Sequence, residues 1–529
     1  MSDLCPEDTV TSRLQYWSVT SPETLAFVYV TPESERYAYS RQELFSLSRR
    51  AASWLHQRGV GKKDVLLCLV PTSPEQTFIS LGATVLGATT ICSMVKYQDG
   101  SDIVPLINCG DVTVIVMDQA DKQVISTLET FIPNLSAGPV TSQAFPSVKT
   151  AIFCNRHPEE EELSFLELIS RNQKPELLMQ IWTMAMQSYE ICPTADGDVI
   201  FNGSSLGWIS GYPFLYFAFG QTRVVPYVKK SPPDDEDKFL LDVLRQEKVT
   251  QLFTSPASLK KLLARNDLLK TPFTWTVRTV IFGGSVFRKE FSRILEKLSV
   301  EIRVRYGCTE IGFAAYKVYT DKVQMEDFKC GKPVKGVEIM VVDDNLKEVP
   351  PNTKGNIMIK NNGFFSGYLK QPALTAVALP EEGWFRPGDI GWLNDEGEIF
   401  IEGRQSEAIS IGSFKMFPQP LESHLMKCPG VYDVAVVAIP DKDFENVPCI
   451  CLVRYPTPEG DEVVPEELIR RCSEYFQESF VHENIEQELG VPKVCLVFDK
   501  FPVNSNGKLQ RRALRDMAIE RLFIRQTEI

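Results

Sequence analysis

The stretch FPVNSNGKLQRRAL, residues 501–514, decides how the rest of the chain is interpreted. In it Lys508 follows a glycine in a polar turn, and a basic run with helical character comes after it. A flexible cation on such a loop can neutralise negative charge that develops during a reaction. A lone Gly-Lys pair is more often a solvent-exposed turn, so the importance of Lys508 depends on the motifs that precede it.

Four motifs precede it in a fixed order: TVIFGGSVF at 279–287, RYGCTE at 305–310, WFRPGDIG at 384–391 and IEGRQSEAISIGSFKMFPQPLE at 401–422. The first is an apolar strand ending in two glycines, which lets the backbone turn tightly beside a flat ligand. The second combines a ring that can stack on a base, a hydroxyl that can bind a phosphate oxygen and a carboxylate that can hold Mg²⁺. The third ends in an aspartate that can accept two hydroxyl groups, as in binding a ribose.

Together the motifs resemble those of the adenylate-forming (AMP-binding) superfamily, which includes acyl-CoA synthetases, luciferases and the adenylation domains of peptide synthetases. The resemblance extends from about residue 15 to about residue 520. It implies a two-step reaction in which a carboxylate attacks the α-phosphate of Mg·ATP and CoA then displaces AMP from the acyl-adenylate. ATP, Mg²⁺ and CoA are therefore the expected cofactors and substrates.

The resemblance also implies roles for individual residues. Three groups are expected: an adenine and ribose site, a phosphate and Mg²⁺ site, and a loop that swings in to line the pantetheine tunnel during thioester formation. The adenine contacts are Gly283, Gly284, Ser285 and Tyr306, and the ribose contacts are Asp389 and Arg404. Thr309 is the phosphate contact, Glu310 the Mg²⁺ ligand, Gly412 to Lys415 the tunnel lining, and Lys508 the catalytic cation of adenylation.

Each of these residues also has a plainer interpretation. Tyr306 and Cys308 are compatible with the core, Asp389 with an ordinary turn, and Lys508 with the solvent-exposed surface. Three positions depart from the family pattern: Pro387 stands where a threonine is usual, Ser406 where the hinge has Asp or Lys, and Asn504 where a threonine is usual.

One expected element is missing from the sequence. The family carries a Ser/Thr/Gly-rich loop ending in Pro-Lys, whose backbone N–H groups cradle the β- and γ-phosphates. The corresponding stretch here, RNQKPELLMQIWTMAMQSYEICPTADGDV at 171–199, has no glycine before Gly197 and no such string. NGSSLGW at 202–208 lacks the lysine and matches the segment that follows the loop. The sequence therefore predicts that the loop and part of the adjoining helix are absent.

Composition narrows the class of protein. The 529 residues carry a formal net charge of −13, which argues against a nucleic-acid surface. No uncharged stretch is long enough to span a bilayer, and the start of the chain has no signal-peptide pattern. The 13 cysteines lack CxxC spacing and are expected to be reduced, which suggests a cytoplasmic location. The four histidines are far apart, so a zinc site is not expected.

Alternating helix and strand signals predict the fold class. In the first part of the chain they indicate an α/β region with parallel sheets and helices on their faces. From about residue 326, short strands separated by turns indicate a small β unit, and a mobile α+β C-terminal domain is expected after it. The predicted boundaries are an AMP-binding domain over 1–403, a hinge at 404–407 and a C-terminal domain over 408–529.

The sequence favours an ATP-dependent acyl-CoA ligase. The apolar, aromatic segment WISGYPFLYFAFG, residues 208–220, suggests a medium- or long-chain fatty acid or an aryl acid, since a small charged acid would need an arginine or lysine there. Two alternatives remain open. One is an impaired or inactive relative that still binds nucleotide or acyl ligand, and the other is a luciferase-like monooxygenase that shares the same motifs.

Overall fold

The computed structural model describes most of the chain. The described residues are 9–92, 103–133, 135, 140, 142–156, 165–166, 197–204, 211–212, 214–228, 233–269, 276–284, 286–298, 301–361, 366–412, 414–455, 465–479, 490–503 and 508–527. Ser285 and residues 171–196, most of the stretch where the phosphate-binding loop is predicted to be missing, lie outside them. None of the helices in these ranges combines the length and apolar composition needed to cross a membrane.

The helices of the described ranges are mostly short and begin at recognisable caps. Ser40 and Glu43 form a capping box at the start of the helix Arg41–His56, and Ser73 caps the helix Pro74–Val85, which has proline at its first position. In chain order the helices are α1 Val10–Thr20, α2 Arg41–His56, α3 Pro74–Val85, α4 Ile103–Gly110, α5 Lys122–Glu129, α6 Phe214–Phe219, α7 Glu236–Gln246, α8 Pro256–Ala264, α9 Asn266–Leu269, α10 Arg293–Lys297, α11 Pro372–Ala378, α12 Pro418–Leu425, α13 Pro465–Ser479 and α14 Arg511–Thr527.

The strands form four sheets in the described part of the chain. In chain order they are β1 Leu25–Val30, β2 Arg36–Ser40, β3 Val65–Cys68, β4 Thr89–Cys92, β5 Val114–Asp118, β6 Thr150–Cys154, β7 Val199–Asn202, β8 Thr222–Pro226, β9 Gln251–Phe253, β10 Thr279–Gly283, β11 Glu301–Cys308, β12 Gly312–Tyr319, β13 Lys329–Pro333, β14 Val337–Val342, β15 Gly355–Asn361, β16 Trp384–Phe385, β17 Asp389–Leu393, β18 Ile399–Arg404, β19 Ile409–Ile411, β20 Phe414–Met416, β21 Val431–Asp441, β22 Glu445–Arg454 and β23 Val494–Val497.

A small parallel sheet, ordered β4-β3-β5-β6, lies in the first part of the chain. Its central strand β5, Val114–Asp118, is buried throughout, as expected for a strand covered on both faces. Helices α4 and α5 pack on it through an apolar cluster that includes Ile107, Val124 and Leu128. This is the βαβ arrangement that the alternating sequence signals predict.

The large sheet changes from parallel to antiparallel pairing at β11. Its order is β14-β15-β17-β18-β13-β12-β11-β10-β9-β7-β8-β1-β2, with β16 paired to β15. β9, β10 and β11 run parallel, whereas β11 and β12 form an antiparallel hairpin. The predicted small β unit is thus an antiparallel extension of the same sheet. The motif RYGCTE lies at the β11–β12 hairpin, where the two kinds of pairing meet.

The C-terminal part is built on a three-stranded sheet, β21-β22-β23. Alternate residues of β21 enter two different apolar clusters, Val434 and Val436 on one face and Ala435 and Val437 on the other. Helices α12 and α13 cover the first face, and α14 covers the second. A large α/β region followed by a separate α+β domain confirms the predicted fold class. The boundaries at 403 and 408 stay a prediction.

Candidate active site

The candidate site is a cavity of about 660 Å³ between the large sheet and the C-terminal domain. Seven of the residues named from the sequence line it together with Gly307 and Cys308: Gly283, Gly284, Tyr306, Thr309, Glu310, Asp389 and Arg404. Lys508 enters the same cavity from the C-terminal domain. Motifs separated by some two hundred residues of sequence therefore meet at one place.

Asp389 lies at the centre of a buried polar network. Its side chain is 7% exposed. Oδ2 accepts a hydrogen bond from the Tyr306 hydroxyl at 2.6 Å, and Oδ1 lies 2.8 Å from Arg404 Nε. Burial raises the pKa of Asp389, while the nearby Arg404 charge and the Tyr306 hydrogen bond oppose that rise. Each carboxylate oxygen has a second lone pair, so the group can still accept hydroxyl groups from a ligand.

The backbone explains why Asp389 and Arg404 face each other. The two residues are register partners at the ends of β17 and β18. Gly388, immediately before Asp389, has a φ of +78°, a conformation that residues with a side chain rarely adopt. Arg404 Nη1 also donates to the Pro387 carbonyl at 2.9 Å, so Pro387, one of the departures from the family pattern, still contributes an acceptor.

Thr309 and Glu310 lie on the tight β11–β12 hairpin. A Cβ at Gly307 would lie 2.1 Å from the Gly312 carbonyl oxygen, so this close approach requires glycine. Thr309 is exposed at the tip of the hairpin. Glu310 Oε1 accepts a hydrogen bond from the Tyr368 hydroxyl at 2.8 Å. Burial by itself raises the pKa of Glu310, but the Tyr368 hydrogen bond and other donors lower it overall, so the group is a carboxylate at neutral pH.

Glu310 fits the requirements of a Mg²⁺ ligand. Among the described residues no group of three or more His, Cys, Asp or Glu side chains could hold a metal ion. Mg²⁺ that accompanies a nucleotide needs only one or two protein carboxylates, because phosphates and water complete its coordination. An ionised carboxylate on the wall of an open cavity meets that need.

Lys508 lies three residues before the helix α14, next to the short bridge between Val503 and Leu509. Partial desolvation lowers the pKa of Lys508, the Arg404 charge lowers it further, and Asp389 opposes both effects. The lysine therefore lies in the electrostatic field of the Asp389 network, although it belongs to a different domain. The turn before it, 504–507, lies outside the described residues.

Two predicted site residues lie apart from this cavity. Gly412 and Lys415 belong to the β19–β20 hairpin, and neither lines the cavity. Gly412 has a φ of +56°, and its N–H donates to the Phe444 carbonyl within the C-terminal domain. Lys415 is exposed. In this orientation of the C-terminal domain, Lys508 faces the cavity and the hairpin does not.

The predicted acyl-pocket segment, 208–220, is only partly described. Residues 208–210 and 213 lie outside the described ranges. Tyr216 and Phe217 are buried in the apolar core with Phe27, and neither lines the cavity. Sequence reasoning missed five aromatic residues at the site: Phe253, Phe291, Phe313 and Phe501 in the wall, and Tyr368, the hydrogen-bond donor to Glu310. It also missed Arg305, although that residue begins the quoted motif RYGCTE.

Two family models match most of the chain. The family model described as AMP-binding enzyme matches residues 14–164 and 169–369, and that of the AMP-binding enzyme C-terminal domain matches 420–508. The chain is 25% identical over 520 residues to 4-coumarate–CoA ligase 2 of Nicotiana tabacum, covering 90% of this chain and 89% of the relative.

Solved structures share the fold. ATP-bound MatB of Rhodopseudomonas palustris superimposes with a TM-score of 0.77 at 18% identity, covering 97% of this chain and 99% of that one. The o-succinylbenzoate CoA synthetase MenE of Bacillus subtilis, in complex with its acyl-adenylate OSB-AMP, gives a TM-score of 0.73 at 19% identity, covering 95% and 98%. At these identities the similarity shows the fold alone. The ligand has to be inferred from the residues that line the cavity.

Proposed function

The chain belongs to the family of AMP-binding enzymes, and from that premise we propose that it is an acid–thiol ligase that converts a carboxylic acid to its CoA thioester through an acyl-adenylate. The observation that carries the proposal is the meeting of Lys508 with Thr309, Glu310 and the Asp389 network around one cavity. A lysine, a Mg²⁺-binding carboxylate and a hydroxyl-binding aspartate are the groups that adenylation requires.

In the first half-reaction a carboxylate oxygen of the acid attacks the α-phosphorus of ATP. A new oxygen–phosphorus bond forms, the bond to the β-phosphate breaks, and pyrophosphate leaves. We assign to Lys508 the stabilisation of the negative charge that builds up between the carboxylate and the α-phosphate. Mg²⁺ held by Glu310 would neutralise charge on the phosphates.

The Asp389 network orients the nucleotide. We assign the ribose hydroxyls to Asp389 and Arg404, and the adenine to the backbone at Gly283 and Gly284 and the ring of Tyr306. Because the Tyr306 hydroxyl is bound to Asp389, its ring is held in place before any ligand binds. Such preorganisation lowers the entropic cost of bringing the acid and the α-phosphate together.

In the second half-reaction the thiolate of CoA attacks the acyl carbonyl, the bond to AMP breaks, and the thiol proton passes to solvent. Gly412 and Lys415 do not line the cavity in this structure, so the β19–β20 hairpin would have to move toward it to line the path of the thiol. We propose that the hinge at 404–407 permits this rotation. Gln405–Glu407 form one turn of 3₁₀ helix there, tied to Gly388 by a 2.8 Å hydrogen bond.

The acid is proposed to have an apolar body. Relatives that match about 90% of the chain include 4-coumarate–CoA ligases, whose names specify an aryl acid. Phe253, Ile281 and Phe313 supply an apolar wall to the cavity, which favours an aryl acid or a fatty acid chain.

Product analysis tests this function. The full chain is incubated with ATP, Mg²⁺ and a panel of aryl and fatty acids, with and without CoA, and both pyrophosphate and acyl-CoA are quantified. Acid-dependent pyrophosphate release and CoA-dependent thioester formation are expected. An O2-dependent, decarboxylated oxidation product formed without CoA would instead indicate luciferase-like chemistry.

A second candidate function rests on the sequence at 171–199, which lacks the phosphate-cradling loop. A relative without that loop would bind AMP or acyl-adenylate through the Asp389 network and turn ATP over slowly. AMP binding without measurable pyrophosphate release would favour this second candidate.

A further inference from the structure

Two adjacent residues of helix α12 bind the C-terminal domain to the large domain. Glu422 Oε2 lies 3.3 Å from Nη2 of Arg288, and the Ser423 hydroxyl donates to Oδ2 of Asp327 at 2.8 Å. Glu422 and Ser423 are both buried. Arg288 and Asp327 belong to the part of the chain that the AMP-binding model matches. A positive and a negative group of the large domain therefore contact successive residues of the C-terminal domain.

The backbone of the large domain fixes the spacing of these two groups. Arg288 and Asp327 are 39 residues apart in sequence but lie on adjoining segments. The Phe328 N–H donates to the Phe287 carbonyl at 2.8 Å. The Lys289 N–H donates to Asp327 Oδ1 at 2.6 Å. Because these two hydrogen bonds join the neighbours of Arg288 to Asp327 and to the residue after it, the two groups can hold α12 in one position.

Within the C-terminal domain, Glu422 is also joined to the segment that carries Lys508. Glu422 Oε1 lies 2.5 Å from Arg511 Nη1 and accepts the Val436 N–H at 2.8 Å. Arg511 begins α14, three residues after Lys508. When the C-terminal domain rotates, Glu422 keeps Arg511 and Val436, because they move with it, and loses only Arg288. The contact with Arg288 therefore stabilises the present orientation and not a rotated one.

We propose that Arg288 and Asp327 are positioning residues that hold the C-terminal domain in the orientation that presents Lys508 to the cavity. They thereby set the share of the chain that is ready for adenylation and the share that is ready for thioester formation. This inference rests on the proposed function, including the domain rotation, and refines it. Arg288 also lines the cavity, so a direct contact with the nucleotide is the role from which the test must separate it.

A cross-link that needs no ligand measures the orientation of the domain. Lys260 of the large domain lies 2.8 Å from Asp433 of the C-terminal domain, so a water-soluble carbodiimide can join the two side chains through an amide bond. Lys322 and Glu296 lie 2.7 Å apart within the large domain and give a reference cross-link. Both cross-linked peptides are quantified by mass spectrometry at constant ionic strength. The ratio of the two yields reports how much of the full chain holds the present orientation.

Arg288→Met should lower this cross-link ratio. The variant leaves Glu422 paired with Arg511, so no buried charge loses its last partner. Loss of a hydrogen bond between charged groups should change the equilibrium constant between the two orientations about ten-fold. Such a change takes an occupancy of about nine-tenths to about half. Arg288→Lys should keep part of the ratio, because lysine keeps the charge, and Ser423→Ala should lower it by removing only the hydroxyl.

The two half-reactions should respond differently to Arg288→Met. Adenylation, measured as acid-dependent pyrophosphate release, should fall by up to about ten-fold, in step with the occupancy of the present orientation. Thioester formation from preformed acyl-AMP and CoA should be unchanged or faster, whereas a general loss of structure would slow both. AMP affinity, measured by calorimetric titration, should be unchanged. A fall in AMP affinity as large as the fall in adenylation would make Arg288 a nucleotide contact and overturn the inference.

Arg36→Met is the matched control. Arg36 is an exposed arginine on β2 that pairs with Glu247 at 2.8 Å within the large domain, and it does not line the cavity. The control should keep the cross-link ratio and the rates of both half-reactions. An unchanged ratio in Arg288→Met, or an equal fall of the ratio in Arg36→Met, would overturn the inference.

The cross-link separates this inference from the proposed function, because it requires neither substrate nor activity. If the unmodified chain releases no pyrophosphate but Arg288→Met lowers the ratio, the ligase reaction fails and the positioning of the domain stands. If pyrophosphate is released and the ratio does not change, only the inference fails. If Arg288→Met does not fold, as judged by its circular dichroism, the ratio in Arg288→Lys and in Ser423→Ala decides the question.

Discussion

Glu422, in the first helix after the hinge, pairs with Arg511, the first residue of the last helix. Arg511 Nη1 lies 2.5 Å from Glu422 Oε1. Glu422 is 2% exposed and also accepts the Val436 N–H at 2.8 Å. Arg288, from the large domain, lies 3.3 Å from its other oxygen. Since Arg511 is three residues after Lys508, this pair fixes the point from which Lys508 extends into the cavity.

Glu422→Gln should destabilise the chain. The neutral side chain leaves the charge of Arg511 buried without its partner, and removing one member of a buried pair costs about 3–5 kcal/mol. Thermal unfolding followed by circular dichroism measures the effect. Glu474→Gln is the control, because Glu474 forms an exposed pair with Arg470 and should change stability by less than about 1 kcal/mol. Equal small changes in both variants would contradict a stabilising role for Glu422.

The Glu422–Arg511 pair should also affect how the free energy of unfolding falls as the pH is lowered below 7. Burial by itself raises the pKa of Glu422, but Arg511 and Arg288 lower it overall. A lowered folded-state pKa contributes stability above the ordinary value, about 4.3, which is lost as pH falls through the folded-state value. Stability measured from pH 7 down to about pH 3 should therefore fall less steeply in Glu422→Gln. An unchanged slope would show that other carboxylates set the profile.

Lys508→Ala should separate the two half-reactions. Adenylation, measured as acid-dependent pyrophosphate release, should fall about 10²–10³-fold, the effect of losing one preorganised group at a site of developing charge. Thioester formation from preformed acyl-AMP should change much less, since the proposed rotation of the C-terminal domain would carry Lys508 away from the cavity. Lys500→Ala, an exposed lysine of the same domain, is the control. Equal losses in the two half-reactions would refute this division of roles.

The alkaline limit of adenylation should report the charge of Lys508. Partial desolvation and Arg404 lower the pKa of Lys508, so its ammonium form is lost at a pH below the ordinary lysine value of about 10.4. Activity should decline as pH rises through that lowered value. In Lys508→Arg the decline should move to higher pH, because arginine stays charged. If activity declines at the same pH in Lys508→Arg, a group other than Lys508 causes the decline.

Asp389→Asn should weaken nucleotide binding. The amide removes the charge that faces Arg404 and one acceptor for a ribose hydroxyl, so AMP affinity should fall about ten-fold or more in a calorimetric titration. Tyr306→Phe keeps the carboxylate and removes only the 2.6 Å hydrogen bond, so its effect should be smaller. Unchanged affinity in Asp389→Asn would leave Asp389 as a turn residue.

Inserting a family-type phosphate-binding loop before residue 185 should increase adenylation. One oriented donor at a comparable oxyanion site is worth roughly 3–4 kcal/mol, so the absence of several leaves pyrophosphate poorly bound. Pyrophosphate release should rise in the insertion variant, while AMP affinity should change little. A chain without the insertion that turns over like an ordinary ligase would show that another segment supplies the phosphate contacts.

Local motifs predicted much of this site because each motif is a strand end or a turn in the sheet. RYGCTE forms the β11–β12 hairpin, and the Gly-Asp pair begins β17. The positions of these side chains therefore depend on a few residues that are adjacent in the sequence. The predicted α/β class was confirmed for the same reason: alternating signals and strand-ending turns are local.

Contacts between distant segments were not predictable in this way. Tyr368 donates to Glu310 from 58 residues further along the chain, and nothing in either motif indicates that pairing. Arg305 was passed over because its contacts with the rings of Phe253 and Phe313 depend on the order of the strands in the sheet. The aromatic segment around Tyr216 and Phe217 matched an acyl pocket in composition, yet those two residues fill the core.

The junction of the two domains makes the protein sensitive to ionic strength. Lys260 meets Asp433 at 2.8 Å, with the carboxylate 39% exposed, and Lys427 lies 3.8 Å from Asp327. Pairs with this degree of exposure contribute only about 0–1 kcal/mol each and weaken as salt is added. Dissolved ions thus compete with these two pairs, while the buried Arg288–Glu422 pair across the same junction is screened much less. The salt content of the medium would act as a control on which half of the catalytic cycle the chain occupies.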